Sequence, residues 1–167
     1  MSEAKLKLGD KHVYTTHSGE ETIALGRELA KLLTPPKVLI LHGDLGAGKT
    51  TLVKGIAAAL GAAEPDEVTS PTFTLIHEYA GRAIEATNPG ENLSGAVLLY
   101  HIDLYRIEDQ RQLDTLGIEE LVTPRSLLLI EWGEKFPSVV ALSDGEIAIE
   151  TLAGDERRTT VTLRADK

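Results

Sequence analysis

The chain has 167 residues, no cysteine and a formal net charge of −9. The missing cysteines exclude disulfides and thiolate metal sites, and the acidic balance argues against a broad nucleic-acid surface, which needs clustered lysine and arginine. With 42% hydrophobic and 26% charged residues, it reads as one soluble globular domain over 1–167. No membrane span and no secretory core in Met1–Asp10 are expected, and the setting expected is cytoplasmic.

Residues 12–16 have strand character. Ser18-Gly19-Glu20-Glu21 is a capping-box pattern that predicts a helix carrying Leu25, Leu29 and Leu32 on one face and ending before Pro35-Pro36. Val38 to Leu41 is an uninterrupted apolar run, as in a strand buried on both faces of a parallel sheet. After the loop that follows it, Leu52, Ile56 and Leu60 recur at helical spacing, and Gly61 supplies a stop. Residues 62–69 read as loop, 74–79 as a strand, and Gly81–Gly95 as an exposed hairpin connection. A second apolar strand, 97–102, ends in Asp103. A short surface helix is expected at 108–116. Leu127 to Ile130 is another doubly buried strand, ending in Glu131-Trp132. Alternating strands near 146–151 and 158–163 predict a hairpin at one sheet edge. The whole predicts an α/β phosphate-loop domain, with a mainly parallel central sheet, flanking helices and antiparallel edge strands.

The chemistry is concentrated in Gly43-Asp44-Leu45-Gly46-Ala47-Gly48-Lys49-Thr50, which matches G-x-x-x-x-G-K-[ST] at every fixed position. Glycines let successive backbone N–H groups converge on phosphate oxygens, where side chains would block the approach. Lys49 places an ammonium on the outer phosphates, and the Thr50 hydroxyl reaches a bridging Mg2+. Strand, loop and helix follow in the order the motif requires, so the chain is expected to bind a nucleoside triphosphate. The spacing G-x-x-G-x-G does not fit a dinucleotide fingerprint. No [NT]-K-x-D guanine-reading motif exists, which favours ATP.

Such a site needs a carboxylate at a strand end. Asp103 and Glu131 both qualify, against the alternative that either acid simply leaves its strand for solvent. Thr72, in the turn before a strand, is a candidate sensor of the third phosphate, with a plain Ser-Pro turn as the equal alternative. Asp114-Thr115-Leu116-Gly117 matches the D-x-x-G of GTPase switches in letters only. The histidines show no metal spacing; His42 and His101 lie at strand ends and read as packing or hydrogen-bonding residues. Trp132 reads as a core aromatic or a site residue.

Taken together, His42 to Thr51, Ser70-Pro71-Thr72-Phe73, His101-Ile102-Asp103-Leu104-Tyr105-Arg106 and Glu131-Trp132 resemble, in order and over nearly the whole chain, the bacterial TsaE ATPases. These act in making threonylcarbamoyladenosine beside the anticodon of tRNA. The resemblance implies an Mg-ATP-hydrolysing accessory to a TsaB–TsaD complex, touching tRNA only through that complex. It implies Mg2+ on Thr50 and Glu131, a hydrolytic role for Asp103, and a switch role for Thr72. It further implies nucleotide contacts from the phosphate loop through Thr51, from Trp132, from Thr22 at the start of the first helix, and from Arg157 or Arg158. The 81–95 connection is longer than the family pattern. The rival readings are a small-molecule kinase, for which no arginine-rich lid segment is found, and a binding switch without useful turnover.

Overall fold

The computed structural model describes residues 11–44, 46–72, 74–82 and 96–164. The expectations for Met1–Asp10, Leu45, Phe73 and positions 83–95 lie outside the described residues.

The strands are β1 (Lys11–Thr16), β2 (Lys37–Gly43), β3 (Ile76–Arg82), β4 (Ala96–Asp103), β5 (Ser126–Glu131), β6 (Gly145–Thr151) and β7 (Arg157–Leu163). The helices are α1 (Gly19–Leu32), α2 (Lys49–Ala59), α3 (Gln110–Leu116), α4 (Ile118–Leu121) and α5 (Pro137–Leu142). The strands form one seven-stranded sheet in the order β1-β7-β6-β2-β5-β4-β3. The pairs β6–β2, β2–β5 and β5–β4 are parallel. Antiparallel pairs complete the two flanks, β7 and β1 on one side and β3 on the other.

This is the mainly parallel core with antiparallel edges that the apolar runs predict. One expectation is corrected. The β6–β7 hairpin does not form the sheet edge, because β1 pairs along the outer side of β7 and β6 pairs with β2. The outer N–H and C=O groups of β7 need partners, and β1 supplies them from the other end of the sequence.

The sheet is covered on both faces. Leu39, Leu41, Leu127, Leu129, Ile147 and Ile149 pack with Leu29, Leu52, Val53 and Ile56 of α1 and α2. On the opposite face Val38, Ile40, Ile102, Leu128 and Ile130 pack with Leu113, Ile118, Phe136 and Val139. Every residue of β5 is buried, and each such Leu or Ile contributes about 1.5–3 kcal/mol relative to exposure.

Helix α1 begins as its sequence predicts. Ser18 Oγ accepts from the Glu21 N–H at 3.0 Å. The reciprocal bond is displaced by one residue: Glu21 Oε1 accepts from the His17 N–H at 2.9 Å rather than from Ser18. Leu25 and Leu29 are buried, and Leu32 packs at the margin of the core. Helices α1 and α2 cross at two glycines: a Cβ on Gly26 would strike the Leu52 carbonyl oxygen, and one on Gly55 the Ile23 carbonyl oxygen. This contact fixes the depth at which α2, and so the phosphate loop at its N-terminus, sits on the sheet.

Two boundaries differ from the sequence pattern. β3 starts at Ile76 rather than at residue 74, because Leu75 is left-handed (φ 71°) and its N–H closes a turn onto the Pro71 carbonyl at 2.7 Å. Helix α3 starts at Gln110, where Asp109 caps it by accepting from the Gln112 N–H at 2.9 Å. Gly117, the glycine of the D-x-x-G letters, is the left-handed C-cap of this helix. That is a structural task.

Candidate nucleotide-binding site

The loop leaves β2 at Gly43 and enters α2 at Lys49. Gly46 and Gly48 have φ of 81° and 108°, a region closed to most side-chain-bearing residues. A Cβ on either would meet nothing within 4 Å, so the glycines face open space above the loop. That space is a cradle which side chains would partly fill. The Ala47 N–H donates back to the Asp44 carbonyl at 3.0 Å, tightening the turn. Gly48 is the N-cap of α2 and offers no side-chain cap. The first N–H groups of α2 therefore lack a capping side chain at the helix's positive end, as anion binding requires.

Parallel pairing of β2, β5 and β4 brings both candidate acids to the loop. Asp103 stands opposite Glu131 in the register, and Glu131 opposite Leu41. Both acids are buried, at 4% exposure each, so neither leaves its strand for solvent. Lys49 Nζ lies 3.2 Å from Glu131 Oε1 and donates to the Gly43 carbonyl at 2.6 Å. Glu131 Oε2 pairs with His101 Nε2 at 2.6 Å. Burial by itself would push the Glu131 carboxyl up. The His101 hydrogen bond and charge, joined by the charge and hydrogen bond of Lys49, outweigh it and hold the group below the ordinary carboxylate value.

Thr72 is joined to the second acid. Its Oγ1 donates to Asp103 Oδ2 at 3.0 Å and lies 2.8 Å from Ser70 Oγ. Asp103 Oδ1 accepts from the Tyr105 N–H at 2.9 Å. Trp132 is not a core aromatic. It is 40% exposed, left-handed at φ 64°, and its ring lies 5.3 Å from that of Tyr105. With Gly43, Asp44, Lys49, His42 and Glu134 it lines a cavity of about 420 Å3 that opens beside the loop.

The more distant candidates divide. Arg157 reaches the loop: its Nε donates to the Ala47 carbonyl at 3.0 Å, and Nη1 to the Gly154 and Glu156 carbonyls. Arg158 pairs instead with Glu150 at 3.0 Å on the exposed face. Thr22 is buried, its hydroxyl 2.8 Å from Thr16 Oγ1 and 3.2 Å from the Ser18 carbonyl, so it ties β1 to α1. Gly43, Asp44, Gly46, Ala47, Gly48, Lys49, Thr50 and Thr51 stand in the loop and the first turn of α2.

The partner of His101, expected as a packing or hydrogen-bonding residue, and one further contribution escape the sequence reading. The side chain of His101 is spent on Glu131, which its place two residues before Asp103 hints at only once the β4–β5 register is known. Lys135 Nζ donates to the carbonyls of Leu104, Tyr105 and Ile107 at 3.2, 3.0 and 2.8 Å. It clasps the turn that follows Asp103, and nothing local in the sequence signals it.

The donor set suits a hard cation carried by phosphates. Glu131, Asp103 and the Thr50 hydroxyl are oxygen donors, and Mg2+ usually takes one or two carboxylates with substrate phosphates supplying the rest. Among the described residues, no group of three or more His, Asp or Glu side chains is placed to hold a metal unaided.

A mixed α/β sheet with a parallel centre, a glycine loop between β2 and α2, and acids at the ends of the adjacent parallel strands β5 and β4 defines a phosphate-loop domain. The family model for the threonylcarbamoyl adenosine biosynthesis protein TsaE matches residues 16–160. The chain belongs to the TsaE family. It is 37% identical over 149 residues to the tRNA threonylcarbamoyladenosine biosynthesis protein TsaE of Bacillus subtilis, covering 89% of this chain and 84% of that one. It is 36% identical to the Treponema pallidum protein of the same description, covering 87% and 96%. The fold also superposes on a crystal structure of Bacillus subtilis YdiB with a TM-score of 0.64 at 30% identity, covering 96% of this chain and 90% of that one. Among the described residues, no helix is long and apolar enough to cross a membrane.

Proposed function

We propose that this protein binds Mg-ATP and hydrolyses it as an accessory to a TsaB–TsaD complex in the threonylcarbamoyladenosine modification of tRNA. The observation that carries this reading is the convergence of Lys49, Glu131, Asp103 and Thr72 on one end of the parallel sheet. The amides of Gly46 to Thr51 and the Lys49 ammonium bind the phosphates. Lys49 exchanges its present partners, Glu131 and the Gly43 carbonyl, for phosphate oxygens. Thr50 and Glu131 would hold magnesium, which when bound would supply charge neutralisation at the phosphates. Asp103 orients the attacking water or the metal shell. The Thr72 hydroxyl, which donates to Asp103, is the residue that senses the third phosphate. Arg157 braces the loop from β7, and Trp132 forms the wall beside it. Contact with tRNA is indirect, in keeping with a net charge of −9.

The test is ATP hydrolysis by the purified protein, alone and with TsaB and TsaD of its own organism, for wild type, Lys49→Ala and Glu131→Ala. Turnover that rises with the partners and disappears in both variants is expected. Partners that neither bind nor change turnover would remove the tRNA-modification role, and phosphate transfer to a metabolite would then point to a kinase.

A further inference from the structure

His101 is fully buried on β4, among Leu99, Leu127 and Leu129 on the face that carries α1 and α2. An imidazole in such a place costs stability unless its polar atoms are bonded, and a leucine there would suit the core better. Among the described residues, only one of its nitrogens is bonded: Nε2 meets Glu131 Oε2 at 2.6 Å, while Nδ1 has no hydrogen-bond partner there. The pairing is diagonal, since His101 stands opposite Leu129 and Glu131 lies two residues further along β5, a separation long side chains bridge. Glu131 is thereby held at both ends of its carboxylate, Oε2 by β4 and Oε1 by Lys49 from α2.

When Lys49 turns to phosphate, one of those two restraints goes, and the carboxylate is free to rotate unless the other remains. We propose that His101 is a positioning residue for Glu131: it holds Oε2 in place so that Oε1, which faces Lys49 here, would stay available to magnesium in the nucleotide-bound protein. The inference rests on the Mg-ATP reading above. The arrangement corresponds to an outer partner orienting a metal ligand, whose loss typically costs about 10–100-fold in metal affinity.

The experiment measures ATP affinity by calorimetry, with Mg2+ and with EDTA, for wild type, His101→Ala, His101→Gln, His101→Asn, Glu131→Gln and the double variant His101→Ala/Glu131→Gln. Circular dichroism and thermal melts establish folding. In wild type, Mg2+ should tighten binding. His101→Ala should lose at least about tenfold of that tightening while its affinity in EDTA stays at the wild-type level. His101→Gln, whose amide donor reaches the place of Nε2, should restore it; His101→Asn, with a shorter reach, should not. In the Glu131→Gln background, His101→Ala should add no further loss.

Equal losses with and without Mg2+, or full Mg2+ tightening in folded His101→Ala, would overturn the proposal. If His101→Ala does not fold, the Gln and Asn variants make the same comparison, and equal behaviour of those two overturns it. A wild type that gains nothing from Mg2+ would instead sink the Mg-ATP reading itself. Binding of ATP in EDTA separates that failure from loss of the nucleotide site.

Discussion

Gly55→Ala sets two effects of opposite sign against each other. Alanine is favoured over glycine inside a helix by about 1 kcal/mol, so α2 considered alone predicts a more stable protein. The tertiary structure predicts the reverse, because the new methyl would collide with the Ile23 carbonyl oxygen and press on the Cα of Gly26. The obstacle is backbone on a packed helix, so relief requires α1 and α2 to separate. Overpacking of this kind costs about 1–3 kcal/mol, and a backbone obstacle places it at the upper end. The net expectation is a loss of about 2 kcal/mol, or about 4–8 °C in Tm for a domain of this size. Gly19→Ala is the control: it lies in the first turn of α1 with nothing within 4 Å of its Cβ, and should be neutral or slightly stabilising. Urea unfolding and thermal melts of the two variants decide it. A Gly55→Ala protein as stable as wild type, or more so, would refute the close-crossing argument. Because α2 begins at Lys49, the destabilised variant should also bind ATP more weakly.

The Glu131 carboxyl is held below its ordinary value of 4.5, so its ionised form contributes stability that is present above that pH and lost as pH falls through the lower, folded-state value. The stability difference between wild type and Glu131→Gln, followed by urea unfolding, should therefore be flat near neutrality and shift against wild type below about pH 4.5; a difference that ignores pH would contradict the assignment. Thr72→Val removes the hydroxyl that donates to Asp103, and should lower the hydrolysis rate by about 100-fold with little change in ATP affinity, whereas Thr72→Ser should retain most activity. Arg157→Ala frees the Ala47 carbonyl from β7 and should cost about 1 kcal/mol after allowing for partial exposure, with a matching loss of ATP affinity. Arg158→Ala breaks only an exposed pair with Glu150, and should leave ATP affinity at the wild-type level.

The parts legible in the sequence were those set by local pattern. The phosphate loop is contiguous, and its glycines and lysine serve one ligand from one short stretch. Val38–Leu41 and Leu127–Ile130 announce strands buried on both faces, because a parallel strand between two helical layers has no polar side. Acids directly after such runs fall at the end of the sheet where ligands bind, which marked Asp103 and Glu131 before any contact was visible. Strand order was not legible in this way. β1 and β7 lie near opposite ends of the sequence, and their pairing answers the need of an open sheet edge, so the hairpin expected at the edge became interior. The same holds for the finer parts of the site. His101 meets Glu131, Arg157 meets the Ala47 carbonyl, and Lys135 clasps the turn after Asp103 across 30, 110 and about 30 positions. Local periodicity determined which segments form the elements and which residues stand at their ends. Register between distant strands decided which of those side chains touch, because a hydrogen bond of about 3 Å depends on a relative placement that no single segment contains.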